Sequence, residues 1–81
     1  MPLFAVIARD LPDAHERRIA ARSAHFAYIE TIQDRIAIAG PLKTAEGEFA
    51  GSMLIYDAVD EIEARGLLEA DPYFRAGIWH P

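Results

Sequence analysis

The chain has no cysteine. That excludes a disulfide scaffold and a thiolate zinc site, and it fits a reducing compartment. Long apolar runs are missing too: the longest covers residues 3 to 8, far short of the ~20 that span a bilayer. The N-terminus, Met-Pro-Leu-Phe, has neither a basic segment nor a cleavage-site pattern. No membrane attachment or signal peptide is therefore expected, and the expected location is the cytoplasm. Basic residues are the minority, eight against thirteen acidic for a net charge of −5. Such a balance repels a phosphate backbone and argues against nucleic acid. The five glycines are scattered rather than gathered in a phosphate-binding loop. His15-Glu16 lacks the second histidine of a zinc protease motif, and His15, His25 and His80 have no ligand spacing. Ser52 has no nucleophile-elbow context. No metal, haem, flavin or other cofactor is expected.

What is present is 81 residues, enough for one domain. A chain this short buries only about 60% of its unfolded surface, so a partner subunit is the obvious further source of stability. Residues 3 to 9 are apolar and rich in strand formers, and predict a first strand. Asp10, Pro12 and Asp13 are turn and helix-start residues, and Asp13 with Glu16 has capping-box spacing. A long helix to about Gln33 follows. Residues 35 to 39 predict a second strand, stopped by Gly40-Pro41, and residues 49 to 56 a third. Asp57 and Asp60 open a second helix, which Asp71-Pro72 closes, since a residue before proline is pushed out of the helical region. Residues 76 to 80 predict the start of a fourth strand. The order is βαββαβ, an α+β, ferredoxin-like fold with a four-stranded antiparallel sheet.

Both faces of the strands are apolar. In the third strand, Phe49, Gly51, Met53 and Ile55 alternate with Ala50, Ser52, Leu54 and Tyr56; in the first, Leu3, Ala5 and Ile7 alternate with Phe4, Val6 and Ala8. Two helices cover one face of such a sheet, and a face left to water normally alternates cleanly. The second apolar face therefore predicts an interaction surface, most simply a two-fold homodimer. Tyr28, Tyr56, Tyr73, Phe74 and Trp79 fit packing or that interface.

Projected at about 100° per residue, the first helix has an apolar arc of Ile19, Phe26, Ile29 and Ile32. Opposite lie Asp13, Glu16, Ala20, Ala27, Thr31 and Asp34. Arg18, Arg22 and His25 fall within the apolar arc, where charges are rarely placed without a partner. One reading is that the arginine stems pack while their heads reach water, and that His25 is satisfied by a carbonyl. The other is a functional stripe whose partner comes from elsewhere in the fold. Asp71, flanked by apolar residues, is the acid at an element end; as a helix-end carboxylate it would oppose the helix dipole.

These residues resemble the YCII-related (YciI-like) family over nearly the whole chain. The markers are Arg18-x-x-x-Arg22-x-x-His25, Gly40-Pro41, Gly51-Ser52 and Asp71-Pro72-Tyr73-Phe74-x-Ala76-Gly77. The resemblance implies a dimeric α/β barrel of two four-stranded sheets packed face to face, and an active site in which His25 and Asp71 form a dyad. The superfamily includes muconolactone isomerase-like enzymes and a dehydrochlorinase, acting on small ring-derived substrates. The family's last strand usually runs beyond the position of Trp79, whereas this chain stops at Pro81. A short fourth strand or a truncated form is expected, which leaves the closing of the dimer edge and the role of His80 open.

The chemistry expected is proton transfer at His25 with Asp71 behind it, in elimination or isomerisation of a small anionic molecule. Arg18 and Arg22 would hold the substrate's charge. Gly51 and Ser52 would border it, a missing side chain at Gly51 leaving room for a ligand or else marking a bulge or close contact. Two other classes use the same residues: a non-catalytic dimeric binding module, and a structural dimer in which His25 and Asp71 tie two elements together.

Overall fold

The computed structural model describes residues 2–80. Strand β1 (Leu3–Arg9) is followed by helix α1 (His15–Thr31) and a 3-10 turn (Gln33–Arg35); β2 (Ile36–Lys43) and β3 (Phe49–Asp57) come next, then α2 (Glu61–Glu69) and the short α3 (Pro72–Arg75). The architecture is α+β, with a three-stranded sheet in the order β1-β3-β2 and both pairings antiparallel. The expected fourth strand is reduced to one isolated bridge, Asp10 with Trp79. Ala76 closes α3 and Gly77, at φ 69°, turns the chain. That leaves Ile78 and His80 to bond the chain at and just past the end of β1, through Leu11 N–H to Ile78 O at 2.7 Å and His80 N–H to Arg9 O at 2.8 Å.

Several local expectations change in physically simple ways. β2 does not stop at Gly40-Pro41 but runs through both to Lys43. It is an edge strand, bonded on one side only, so the missing amide of Pro41 costs no ladder bond on the open side. Asp13 does not cap α1: the N-cap is Ala14, with no side-chain bond. Asp13 instead pairs with Arg17 one turn on, at 3.3 Å on the surface. α1 ends at Thr31, whose hydroxyl donates back to Tyr28 O at 2.6 Å. Asp71 stands just past the end of α2, where Asp71-Pro72 is expected to close it, but it has a further place. It is the N-cap of α3, with Pro72 at the first helical position, so its carboxylate meets the favourable end of a helix.

The helices cover one sheet face. Leu54 and Tyr56 of β3 are fully buried there, with Ala8, Ala14, Ala58, Ala64, Tyr73, Ile78 and Trp79. The opposite face carries Leu3, Ala5 and Ile7 of β1, in register with Asp57, Ile55 and Met53 of β3, and Ile38 of β2, in register with Ile55. Leu3, Ile7 and Ile38 are exposed. The apolar arc read on α1 splits in two: Ile19 and Phe26 are 58% and 55% exposed, while Arg18 and His25 are 5% and 6% exposed and face the core.

Candidate active site

Two buried polar pairs stand where α1 crosses the sheet. The first is Arg18. One terminal nitrogen donates to both carboxylate oxygens of Asp10 at 2.8 Å; the other donates to Gly51 O at 3.2 Å and Ser52 Oγ at 3.1 Å. Both terminal nitrogens are thus engaged by the protein. The guanidinium also lies between aromatic rings, 4.8 Å from the Phe49 centroid and 4.9 Å from that of Tyr73. Phe49 reaches this side because the register shifts between Leu42 and Lys43, which sets β3 one residue out of step at its start.

The second pair is His25 and Asp71. His25 Nδ1 lies 2.7 Å from Asp71 Oδ1, and the same oxygen accepts the Tyr73 backbone N–H at 2.8 Å. A carboxylate at Nδ1 assigns the proton of the neutral ring to that nitrogen and leaves Nε2 with the free lone pair. Asp71 is fully buried. Tyr73 stacks on the imidazole with centroids 3.9 Å apart. Burial pushes the Tyr73 phenol above its ordinary value, with Arg18 and Arg22 acting the other way. Tyr28 fastens α1 to α2 by donating to Leu67 O at 2.6 Å, and burial raises its phenol as well.

These groups border a cavity of about 180 Å³ between α1 and the sheet. Its polar end is formed by Arg18, His25, Ser52 and Tyr73, its apolar wall by residues such as Ile29, Pro41, Phe49 and Leu54, and its mouth by Ile19, Phe26 and Arg22. The exposed half of the α1 arc is therefore the rim of a pocket. Arg22 lies over the Phe26 ring at 5.3 Å. Among the described residues it forms no ion pair, so its charge is the one available to an incoming anion.

The structure thus brings His25, Asp71, Arg18, Arg22 and Ser52 to one place. Gly51 is adjacent but is not part of the cavity wall. A methyl group there would lie 2.1 Å from the Ala8 carbonyl oxygen, so the space is taken by the backbone of β1 and not by a ligand. Both terminal nitrogens of Arg18 are held by protein acceptors. The partner that the sequence does not reveal is Asp10, which reads as a turn acid. Its one signal is position: an acid directly after an apolar strand, in a chain whose first helix buries an arginine.

Comparison with known proteins finds a match to the model of the YCII-related domain over residues 2–80. Protein YciI of Escherichia coli O6:H1 is 31% identical over 85 residues, covering 95% of this chain and 87% of the relative. An uncharacterised protein of Haemophilus influenzae is 30% identical over 84 residues, covering 94% and 86%. Among solved structures, 5-chloro-2-hydroxyhydroquinone dehydrochlorinase (TftG) of Burkholderia phenoliruptrix AC1100, in complex with 2,5-dihydroxybenzoquinone, superposes with a TM-score of 0.90. It shares 30% identity, over 99% of this chain and 87% of its own.

Proposed function

The chain belongs to the YCII-related domain family, and we propose that it is a homodimeric, cofactor-independent lyase or isomerase for a small anionic organic molecule. His25 is its general base and acid, with Asp71 holding the tautomer. The observation that carries this reading is the 2.7 Å contact of His25 Nδ1 with a fully buried carboxylate at the wall of a cavity. Proton abstraction followed by elimination or reprotonation needs one base, one acid and a group that bears charge. His25 supplies the first two in turn, and Arg22 at the mouth attracts the anion. The dehydrochlorinase neighbour, in complex with a dihydroxybenzoquinone, supports an oxygenated ring as the substrate class. The continuous apolar face of Leu3, Ile7, Ile38, Met53 and Ile55 supports a dimer built sheet against sheet.

A structural reading has one observation in its favour: Asp71 Oδ1 also starts α3, so the pair ties α1 to α3. The experiment that separates them follows the absorbance of a panel of hydroxylated, halogenated and unsaturated ring carboxylates, phenols and quinones mixed with wild type and His25→Ala. Spectral change with wild type alone supports the enzyme. Equal rates in the two proteins would end the dyad proposal.

A further inference from the structure

Ser52 is buried on β3 at the polar end of the cavity. Its oxygen accepts an Arg18 N–H at 3.1 Å, and among the described residues its own hydroxyl proton has no acceptor. Arg18 is held away from a ligand, because the Asp10 carboxylate grips one of its terminal nitrogens and Gly51 O the other. A hydroxyl that accepts from a guanidinium becomes a better donor, since each hydrogen bond in a chain polarises the next. From this chain of contacts we infer that Ser52 is the oxyanion-binding group of the site. Through it the buried charge of Arg18 reaches a carbonyl oxygen of the substrate.

The inference rests on the proposed function and narrows its substrate class. The substrate carries a carbonyl whose neighbouring carbon or vinylogous hydroxyl holds the proton that His25 removes. In the step, the C–H or O–H bond breaks and its proton goes to Nε2. The electron pair left behind forms the new double bond, and the carbonyl π pair moves to oxygen. That oxygen, now an enolate, accepts the Ser52 hydrogen bond. Collapse of the enolate either returns the proton at another carbon, an isomerisation, or expels a leaving group with its bonding pair, an elimination. A preorganised donor aimed at the atom where charge develops is an effective way to lower such a barrier. Arg22, exposed at the mouth, attracts the anion as a whole, while Ser52 recognises one oxygen of it.

The test uses 2,5-dihydroxybenzoquinone, whose ionised form is an enolate and whose visible absorbance reports its ionisation. The purified chain is titrated with it as wild type, Ser52→Ala, Ser52→Thr and Ser52→Cys, each checked for fold by circular dichroism. Wild type is expected to lower the pH at which the bound dye ionises. Ser52→Ala is expected to bind about tenfold more weakly and to lose that pH shift, while Ser52→Thr, which keeps the hydroxyl, retains both. If Ser52→Ala does not fold, Ser52→Cys carries the same comparison with a weaker donor in place. Equal affinity and equal pH shift in wild type and the hydroxyl-less variants would overturn the assignment and leave the His25 reading standing. Failure of wild type to bind the dye would overturn the oxygenated-ring reading, and this inference with it.

Discussion

Tyr73 lies flat against His25, with ring centroids 3.9 Å apart and planes 6° from parallel. Its backbone N–H donates to Asp71 Oδ1, the oxygen that meets His25 Nδ1. The segment Asp71-Pro72-Tyr73 thus sets both the plane of the imidazole and the direction of its hydrogen bond. Proline is essential to the arrangement: it holds Asp71 extended, at ψ 130°, and begins the helix that Asp71 caps. A short helix start serves as the second half of the site.

Two substitutions at Asp71 separate its two duties. Asparagine still caps a helix and still accepts from Nδ1–H, so Asp71→Asn is expected to cost about 1–2 kcal/mol while stopping proton transfer. Alanine removes the cap and leaves His25 without a partner, and is expected to cost about 3 kcal/mol or more. Urea unfolding of the two variants checks the order. Alanine milder than asparagine would show that the carboxylate has no structural duty.

Asp10 and Arg18 should behave as one unit. Each is nearly inaccessible, with side chains 10% and 6% exposed. Removing either leaves the other charge buried and unpaired, expected to cost about 3 kcal/mol. In the double variant that penalty disappears, so its cost should approach that of one single variant, with a coupling energy of about 3 kcal/mol. A double-mutant cycle of Asp10→Ala and Arg18→Ala by urea denaturation measures it. Additive losses would show that the two groups stand apart in solution.

The open sheet face gives a prediction about assembly. Ile7 of β1 and Met53 of β3 are register partners on that face, away from the helices. Met53→Asp should therefore spare the helix-side core and break the association. Wild type is expected to sediment as a dimer at micromolar concentration and Met53→Asp as a monomer with a lower melting temperature. A monomeric wild type would remove the sheet-to-sheet pairing from the proposal.

Two glycines make opposite predictions. Gly66, on the exposed side of α2, has open space where a Cβ would go. Gly66→Ala should stabilise by about 1 kcal/mol through helix propensity alone. Gly51→Ala would drive a methyl group to 2.1 Å from the Ala8 carbonyl oxygen. Backbone cannot yield as a side-chain end can, so the β1–β3 pairing should open and about 3 kcal/mol should be lost. Thermal melts of both variants decide it, and a Gly51→Ala protein as stable as wild type would show that β1 shifts freely.

Much of the fold is legible in the chain because it depends on local pattern. The alternation of β1 and β3 shows the strands and the doubly apolar sheet, and Asp60 opens α2 as an acid before a helix should, accepting from Glu63 N–H at 2.9 Å. The departures occur where distant partners decide. Gly40-Pro41 reads as a stop, yet an edge strand tolerates both. Asp10 and Asp13 look alike as turn acids, but one pairs with a buried arginine and the other with Arg17 on the surface. The stripe on α1 is visible as a mixture of charge and apolar residues. Which half faces inward depends on Asp10 and Asp71, which lie on other elements.

Tyr56 gives the pH prediction. It is fully buried on β3, and among the described residues its hydroxyl has no hydrogen-bond partner. Burial first, and then the negative charge of Asp71, push its phenol well above the ordinary value. The folded protein therefore keeps this proton at a pH where the unfolded chain gives it up. The stabilisation is complete below about pH 10, the unfolded value, and is lost as pH rises beyond it, because the unfolded state then binds fewer protons. Tyr28 and Tyr73 are shifted in the same direction, so Tyr56→Phe should remove only part of that alkaline slope. It also removes a hydroxyl that is buried without a partner, and should raise stability at neutral pH by about 1 kcal/mol. Urea midpoints at neutral pH and from about pH 9 to 11 test both parts. A Tyr56→Phe protein less stable at neutral pH would show that the hydroxyl bonds within the core, and an unchanged alkaline slope would assign the titration to Tyr28 and Tyr73.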